Sequence, residues 1–323
     1  MTAALSELAR GVVARDRRSL ARAITLVEST RATHESQARS LLRELGPYHH
    51  RGMRVGVSGP PGVGKSSLLE KLGMRLVQSG KRPALLVVDP TSQRAGGSIL
   101  GDKTRMVELA REPAAYVRPS PSGDRGGGIA RATGDVLMLC EVAGFSPTLV
   151  ETVGVGQAEA AVTSVVDVLL LLLEPGAGDA LTGIKRGLSE WGDVMAVNKA
   201  DGARAEVAER TRVEFESAFS LLRSGSAAPP PVLSVSAREG VGIDELWRAL
   251  EGRYLELEAS GELELKRRTQ RKAELHTRLV GALMREFSSD PERAQRLAEV
   301  EGQVMAGTLL PGDAVHQLLD RGG

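Results

Sequence analysis

The 323-residue chain has a single cysteine, no strong bias of charge and no apolar run long enough to cross a bilayer. A lone Cys140 forms no internal disulfide, and together with five scattered histidines it offers no zinc-type spacing. Lys plus Arg number 42 against 41 Asp plus Glu, so no bulk field favours nucleic acid or an anionic membrane. The longest apolar run, VVDVLLLLLE from Val165, carries Asp167 and is too short for a helix across a ~30 Å hydrocarbon core. It reads as a buried strand. Glu7, Arg10, Arg15, Asp16, Arg17 and Arg18 interrupt the N-terminal stretch, which argues against a secretory leader. These absences predict a cytoplasmic protein without nucleic-acid or membrane partners. What is present, 41% hydrophobic and 26% charged residues, suffices for a sizeable core.

Three regions differ in pattern. Residues 1–50 carry apolar positions at helical spacing among arginines, as in LARAITLVES, and predict an N-terminal cap of two short amphipathic helices. Over residues 51–255, short β-rich runs (RVGVS, ALLVVD, YVRPS, TLVET, VVDVLLLLL, DVMAVNK, PVLSVSA) alternate with helix-period segments. Several runs are apolar throughout, as strands buried on both faces must be, so the expected class is α/β with a mostly parallel sheet of about seven strands flanked by helices. The prolines 229–231 read as a loop before the last run. Residues 256–323 turn charged and helical, with Leu263, Leu265, Leu275, Leu279 and Leu283 on one side. That side packs either on its own core or on a second subunit.

The stretch GPPGVGKSS matches G-x-x-x-x-G-K-[ST], directly after RVGVS and before a helix-period segment, which is the context of a phosphate-binding P-loop. The loop comprises Gly59, Pro60, Pro61, Gly62, Val63, Gly64, Lys65, Ser66 and Ser67. Its glycines let backbone N–H groups turn around phosphate oxygens at a helix N-terminus. Lys65 is expected to reach the β and γ phosphates, and the Ser66 hydroxyl to sit on Mg²⁺.

A second motif selects the base. Asn198, Lys199 and Asp201 form N-K-x-D at the end of an apolar run, where α/β folds bind ligands. A carboxylate at Asp201 accepts from guanine N1–H and the 2-amino group; adenine offers neither, a mismatch of about 1.5–3 kcal/mol. Ser236, Ala237 and Arg238 end the last run and form a candidate loop for guanine O6. The expected ligand is GTP or GDP.

Two other runs end in acids, Asp89 and Glu151, each a candidate for the Mg²⁺ shell or for orienting the attacking water. Gly154 is placed to sense a γ-phosphate through its backbone, and Gln157 follows as a water-orienting candidate. Asp102 with Lys103, and Asp179 with Lys185, lie on glycine-rich connections suited to nucleotide-sensitive loops.

The ordered blocks DPTSQRAGGSILGDKTRM, YVRPSPSGDRGGGIARAT, ETVGVGQAE, PGAGDALTGIKRG and NKADG resemble the methylmalonyl-CoA mutase chaperone GTPases, the MeaB/ArgK-like family of SIMIBI-class P-loop proteins. The resemblance spans about Arg17 to Arg285. It implies a homodimeric GTPase that serves a cobalamin-dependent acyl-CoA mutase, gating cofactor loading and protecting or reactivating that enzyme. It also implies that Asp89, Asp102 and Glu151 are Mg²⁺ and switch acids with Lys65 as the catalytic cation, and that residues 174–187 are a third switch. There the chain departs from the family pattern at Ala180 and Thr182. The C-terminal helices fall where the family dimerises. Two alternatives are a metal-insertion GTPase, for which only His49 and His50 adjoin as ligands, and a P-loop kinase, for which N-K-x-D is a poor fit.

Overall fold

The computed structural model describes residues 3–29, 31–89, 106–121, 128–152, 162–176, 192–222 and 229–319. Its centre is a fully parallel seven-stranded sheet: β1 Arg54–Ser58, β2 Ala84–Asp89, β3 Tyr116–Pro121, β4 Thr148–Thr152, β5 Val168–Leu173, β6 Val194–Val197 and β7 Val232–Ser234. The order across the sheet is β3-β2-β4-β1-β5-β6-β7. All seven expected runs are strands. β5 starts one residue after Asp167, whose side chain accepts from Arg54 N at 2.9 Å at the sheet's lower edge.

The unbroken apolar runs have a structural cause. Every residue of β4, β5 and β6 is buried, because helices cover both faces. Along β5 the period of two divides the leucines: Leu169, Leu171 and Leu173 face one core, while Val168, Leu170 and Leu172 face the other. The first core is closed by α1 Ala3–Val13, α2 Arg17–Glu28 and α3 Ala32–Leu45 through residues such as Leu20, Ile24, Leu41 and Leu45. The second core takes Leu68, Leu69, Leu72 and Leu76 from α4 Lys65–Gln78. Each such fully buried leucine contributes about 1.5–3 kcal/mol relative to exposure.

The described residues of 1–50 hold three α-helices where the spacing predicts two. Asp16 ends the first helical stretch by capping α2, accepting from Ser19 N at 2.8 Å and Arg18 N at 3.4 Å, with Arg15 in the left-handed region at φ 63. The short α5 Val107–Arg111 is followed by α6 Gly128–Val142, which packs beneath the N-terminal helices. After α7 Ala205–Leu222 comes α8 Ile243–Ala259, longer than the change of composition near residue 256 suggests. Ser260 caps it, and Gly261, at φ 77, turns the chain into α9 Glu262–Ser289.

Two compact units divide the chain, residues 1–270 and residues 271–323. Within the second, α10 Pro291–Met305 starts at an Asp290 cap and packs on α11 Pro311–Leu319, burying Val300 and Ala314.

Candidate nucleotide site

The P-loop joins β1 to α4 at the sheet's centre, beside β4 and β5, where the strand order reverses direction. Gly64 caps α4 without a side chain, leaving the helix's first N–H groups facing the loop. Its φ of 95 suits glycine, and a Cβ there would sit 2.6 Å from Asn198 Nδ2. At Gly59 a Cβ would lie 2.7 Å from the Leu172 carbonyl oxygen, so the loop's entry presses on β5. Pro60 supplies an acceptor instead of a donor: its carbonyl takes Val63 N at 3.3 Å and Lys65 Nζ at 3.1 Å.

Lys65 is buried, and its Nζ donates to Gly59 O at 2.7 Å. The ammonium thus curls over the loop expected to hold the β and γ phosphates. Beside it, Ser66 Oγ donates to Glu151 Oε1 at 2.7 Å, with Glu151 at the end of β4 and buried. A hydroxyl and a carboxylate in contact are hard oxygen donors, the set that Mg²⁺ takes together with phosphate oxygens. Residues present therefore fit the implied ion. Asp89 ends β2, its backbone in register with Pro121. Asp102, Lys103, Gly154, Gln157, Asp179, Ala180, Thr182 and Lys185 lie outside the described residues.

The base-side loops meet the P-loop through one side chain. Asn198 Nδ2 donates to Val63 O at 2.8 Å, and its Oδ1 accepts from Ala237 N at 3.2 Å. Asp201 Oδ2 accepts from Ser236 Oγ at 2.6 Å, and that hydroxyl accepts from Glu239 N at 3.0 Å. Ala200 N donates to Val235 O at 3.0 Å, which holds the two loops side by side. Arg238 is exposed at their rim. Lys199, at φ 64, sends its Nζ to Glu174 Oε1 at 2.8 Å. This ion pair is not legible from motif spacing; its only sequence signal is an acid closing the apolar β5 run.

Among the described residues no three of His, Cys, Asp and Glu gather as a metal-binding group, and His49 Nε2 is engaged by Glu141. No helix there is long and apolar enough to cross a membrane.

Comparison with known proteins bears on family and fold. The family model described as "Methylmalonyl Co-A mutase-associated GTPase MeaB" matches residues 20–292. A probable GTPase of Mycobacterium bovis is 46% identical over 97% of this chain and 94% of its own length. The mitochondrial methylmalonic aciduria type A homolog of Mus musculus is 42% identical over 98% of this chain and 79% of its own. A crystal structure titled "LAO/AO transport system kinase" superposes with a TM-score of 0.75 at 34% identity, covering 98% of this chain and 97% of that one. A P-loop that feeds a parallel sheet, an N-K-x-D loop tied to it, and a match over most of the length place the chain in the MeaB family of methylmalonyl-CoA mutase-associated GTPases.

Proposed function

We propose that this GTPase times the service of a cobalamin-dependent acyl-CoA mutase, gating cofactor loading and protecting or reactivating the mutase in the cytoplasm. The observation that carries the reading is a continuous set of contacts from nucleotide loop to switch. Asn198 ties the phosphate loop to the base loops, and the adjacent Lys199 pairs with Glu174, the first residue of the segment read as the third switch. A partner bound to that segment would sense nucleotide occupancy through Lys199. The family description and the name of the mouse relative support a mutase as that partner.

In the proposed mechanism Asp201 and Ser236, with Ala237 and Arg238 at the rim, select guanine. The loop from Gly59 to Ser67 binds the phosphates, and Lys65 exchanges the Gly59 and Pro60 carbonyls for phosphate oxygens, neutralising charge as water attacks the γ-phosphorus in line. The bond to the β–γ bridging oxygen breaks, giving GDP and phosphate. Ser66, Asp89, Asp102 and Glu151 would hold Mg²⁺, which supplies further charge neutralisation. Gly154 would report the γ-phosphate through its backbone. Residues 1–50 act as a cap on the GTPase domain of residues 51–255, and residues 256–323 as the dimerisation arm.

The test is GTP turnover measured alone and with a purified cobalamin-dependent mutase. Turnover that rises with mutase is the expected result, and equal rates would remove the chaperone reading. Labelled γ-phosphate recovered on an acceptor instead of in solution would favour the kinase alternative, which the name of the superposed structure keeps in view.

A further inference from the structure

Opposite the nucleotide, at the edge where the strands begin, two arginines lie over two aromatic rings and a third packs on the neighbouring Gly144. The Arg82 guanidinium lies 4.8 Å from the centre of the Phe145 ring, and Arg17 lies 5.8 Å from that of Tyr116. The two rings are themselves 5.6 Å apart. Arg15, from the turn between α1 and α2, rests on Gly144 so closely that a Cβ there would meet its Nε at 2.9 Å. Four separate segments therefore converge: the α1–α2 turn, residue 82 before β2, residues 112–116 leading into β3 and residues 144–146 before β4.

Elsewhere this protein pairs its half-buried arginines with carboxylates, as in Arg54 with Glu141, Arg118 with Glu28 and Arg267 with Asp167. Here, among the described residues, it does not. Arg17 donates to the carbonyls of Glu112 at 2.9 Å and Pro113 at 3.3 Å, and Arg82 has no side-chain hydrogen bond. The nearest acid in sequence, Asp16, is turned to its own helix, accepting from Ser19 Oγ at 2.6 Å and Ser19 N at 2.8 Å. Burial, then the like charges of Arg15 and Arg17, hold the Arg82 guanidinium below the usual arginine range. A cationic group that is partly desolvated, repelled and without an acceptor is stabilised by an incoming anion.

We propose that Arg15, Arg17 and Arg82 form a docking patch for an acidic segment of a partner protein. The form of the surface favours a chain over a small anion. Small-ligand sites are concave, whereas this one is spread over four segments with Arg15 exposed. On such a surface a single phosphate is screened by salt. A segment bearing several carboxylates engages two or three guanidinium groups at once, each by a charge-assisted pair. The patch lies at the other end of the strands from the nucleotide and is independent of the GTPase chemistry.

The test uses the full chain saturated with GDP and a fluorescently labelled octaglutamate peptide, followed by anisotropy at low salt. The expected result is saturable binding that weakens at least tenfold in R15Q/R82Q and is unchanged in R248Q/R268Q, which removes the same charge from exposed sites elsewhere. GTP turnover should be the same in all three proteins, which shows that each is folded and separates the patch from the nucleotide site. Equal peptide binding by R15Q/R82Q and the parent overturns the patch. So does displacement of the peptide by inorganic phosphate at a matching dissociation constant, which would make it a small-anion site.

Discussion

Asn198 ties backbone on both sides, its Nδ2 donating to Val63 O on the phosphate side and its Oδ1 accepting from Ala237 N on the base side. Beside it stands Asp201, the proposed guanine acceptor, which Ser236 Oγ holds by one oxygen. Its other oxygen is the group that would face guanine N1–H. In D201N a donor replaces that acceptor, leaving two donors opposed. We expect GTP affinity to fall by about 1.5–3 kcal/mol, roughly tenfold to a hundredfold, and xanthosine triphosphate to gain, since its 2-oxo group accepts from the new amide. Calorimetric titration with both nucleotides measures this, and unchanged GTP affinity would show that the base is read elsewhere.

At the scale of elements, the start of α9 is fastened beneath the sheet by charge. Arg267 forks onto Asp167 at 2.7 and 2.8 Å and also donates to Gly52 O at 2.8 Å, while Lys266 donates to Asp167 O at 2.6 Å. Gln270 reaches the carbonyls of Thr163 at 2.8 Å and Val166 at 2.7 Å. Asp167 is fully buried, so R267A would strand a carboxylate in the interior and should cost about 3–5 kcal/mol. Urea unfolding followed by Trp247 fluorescence reads that loss; a change under about 1 kcal/mol would mean that water reaches the carboxylate freely. This clasp also marks a limit of sequence reading. Periodicity exposes strands because burial on two faces forces apolar runs, and motif spacing exposes the P-loop because its parts are adjacent in the chain. A buried ion pair between an acid before β5 and a base in α9 leaves no local trace. The same holds for Asn198, whose motif position suggests a nucleotide contact but not that it joins two loops. Asp16, hidden among arginines, ends a helix that spacing alone runs on.

For the whole molecule, the open question of what the C-terminal leucines cover becomes a question of assembly. Leu275, Leu279, Val280, Leu283 and Met284 on α9 are each more than half exposed, at i, i+4 and i+8 spacing along one helix face. With the proposed dimerisation arm, light scattering should give twice the chain mass. L279K should give the single-chain mass with GTP turnover retained, and a variant that stays dimeric would move the interface elsewhere. The strand order carries one more consequence, for synthesis. β1 pairs only with β4 and β5, and β2 only with β3 and β4, so the first two strands to leave the ribosome share no ladder. The P-loop that hangs from β1 cannot be set in its sheet until translation has passed Thr152 and β4 has slid between them. During that interval β2 can ladder with β3 alone and β1 has no partner at all, so the order of the sheet leaves the strand that carries the P-loop as an open apolar edge of the nascent chain.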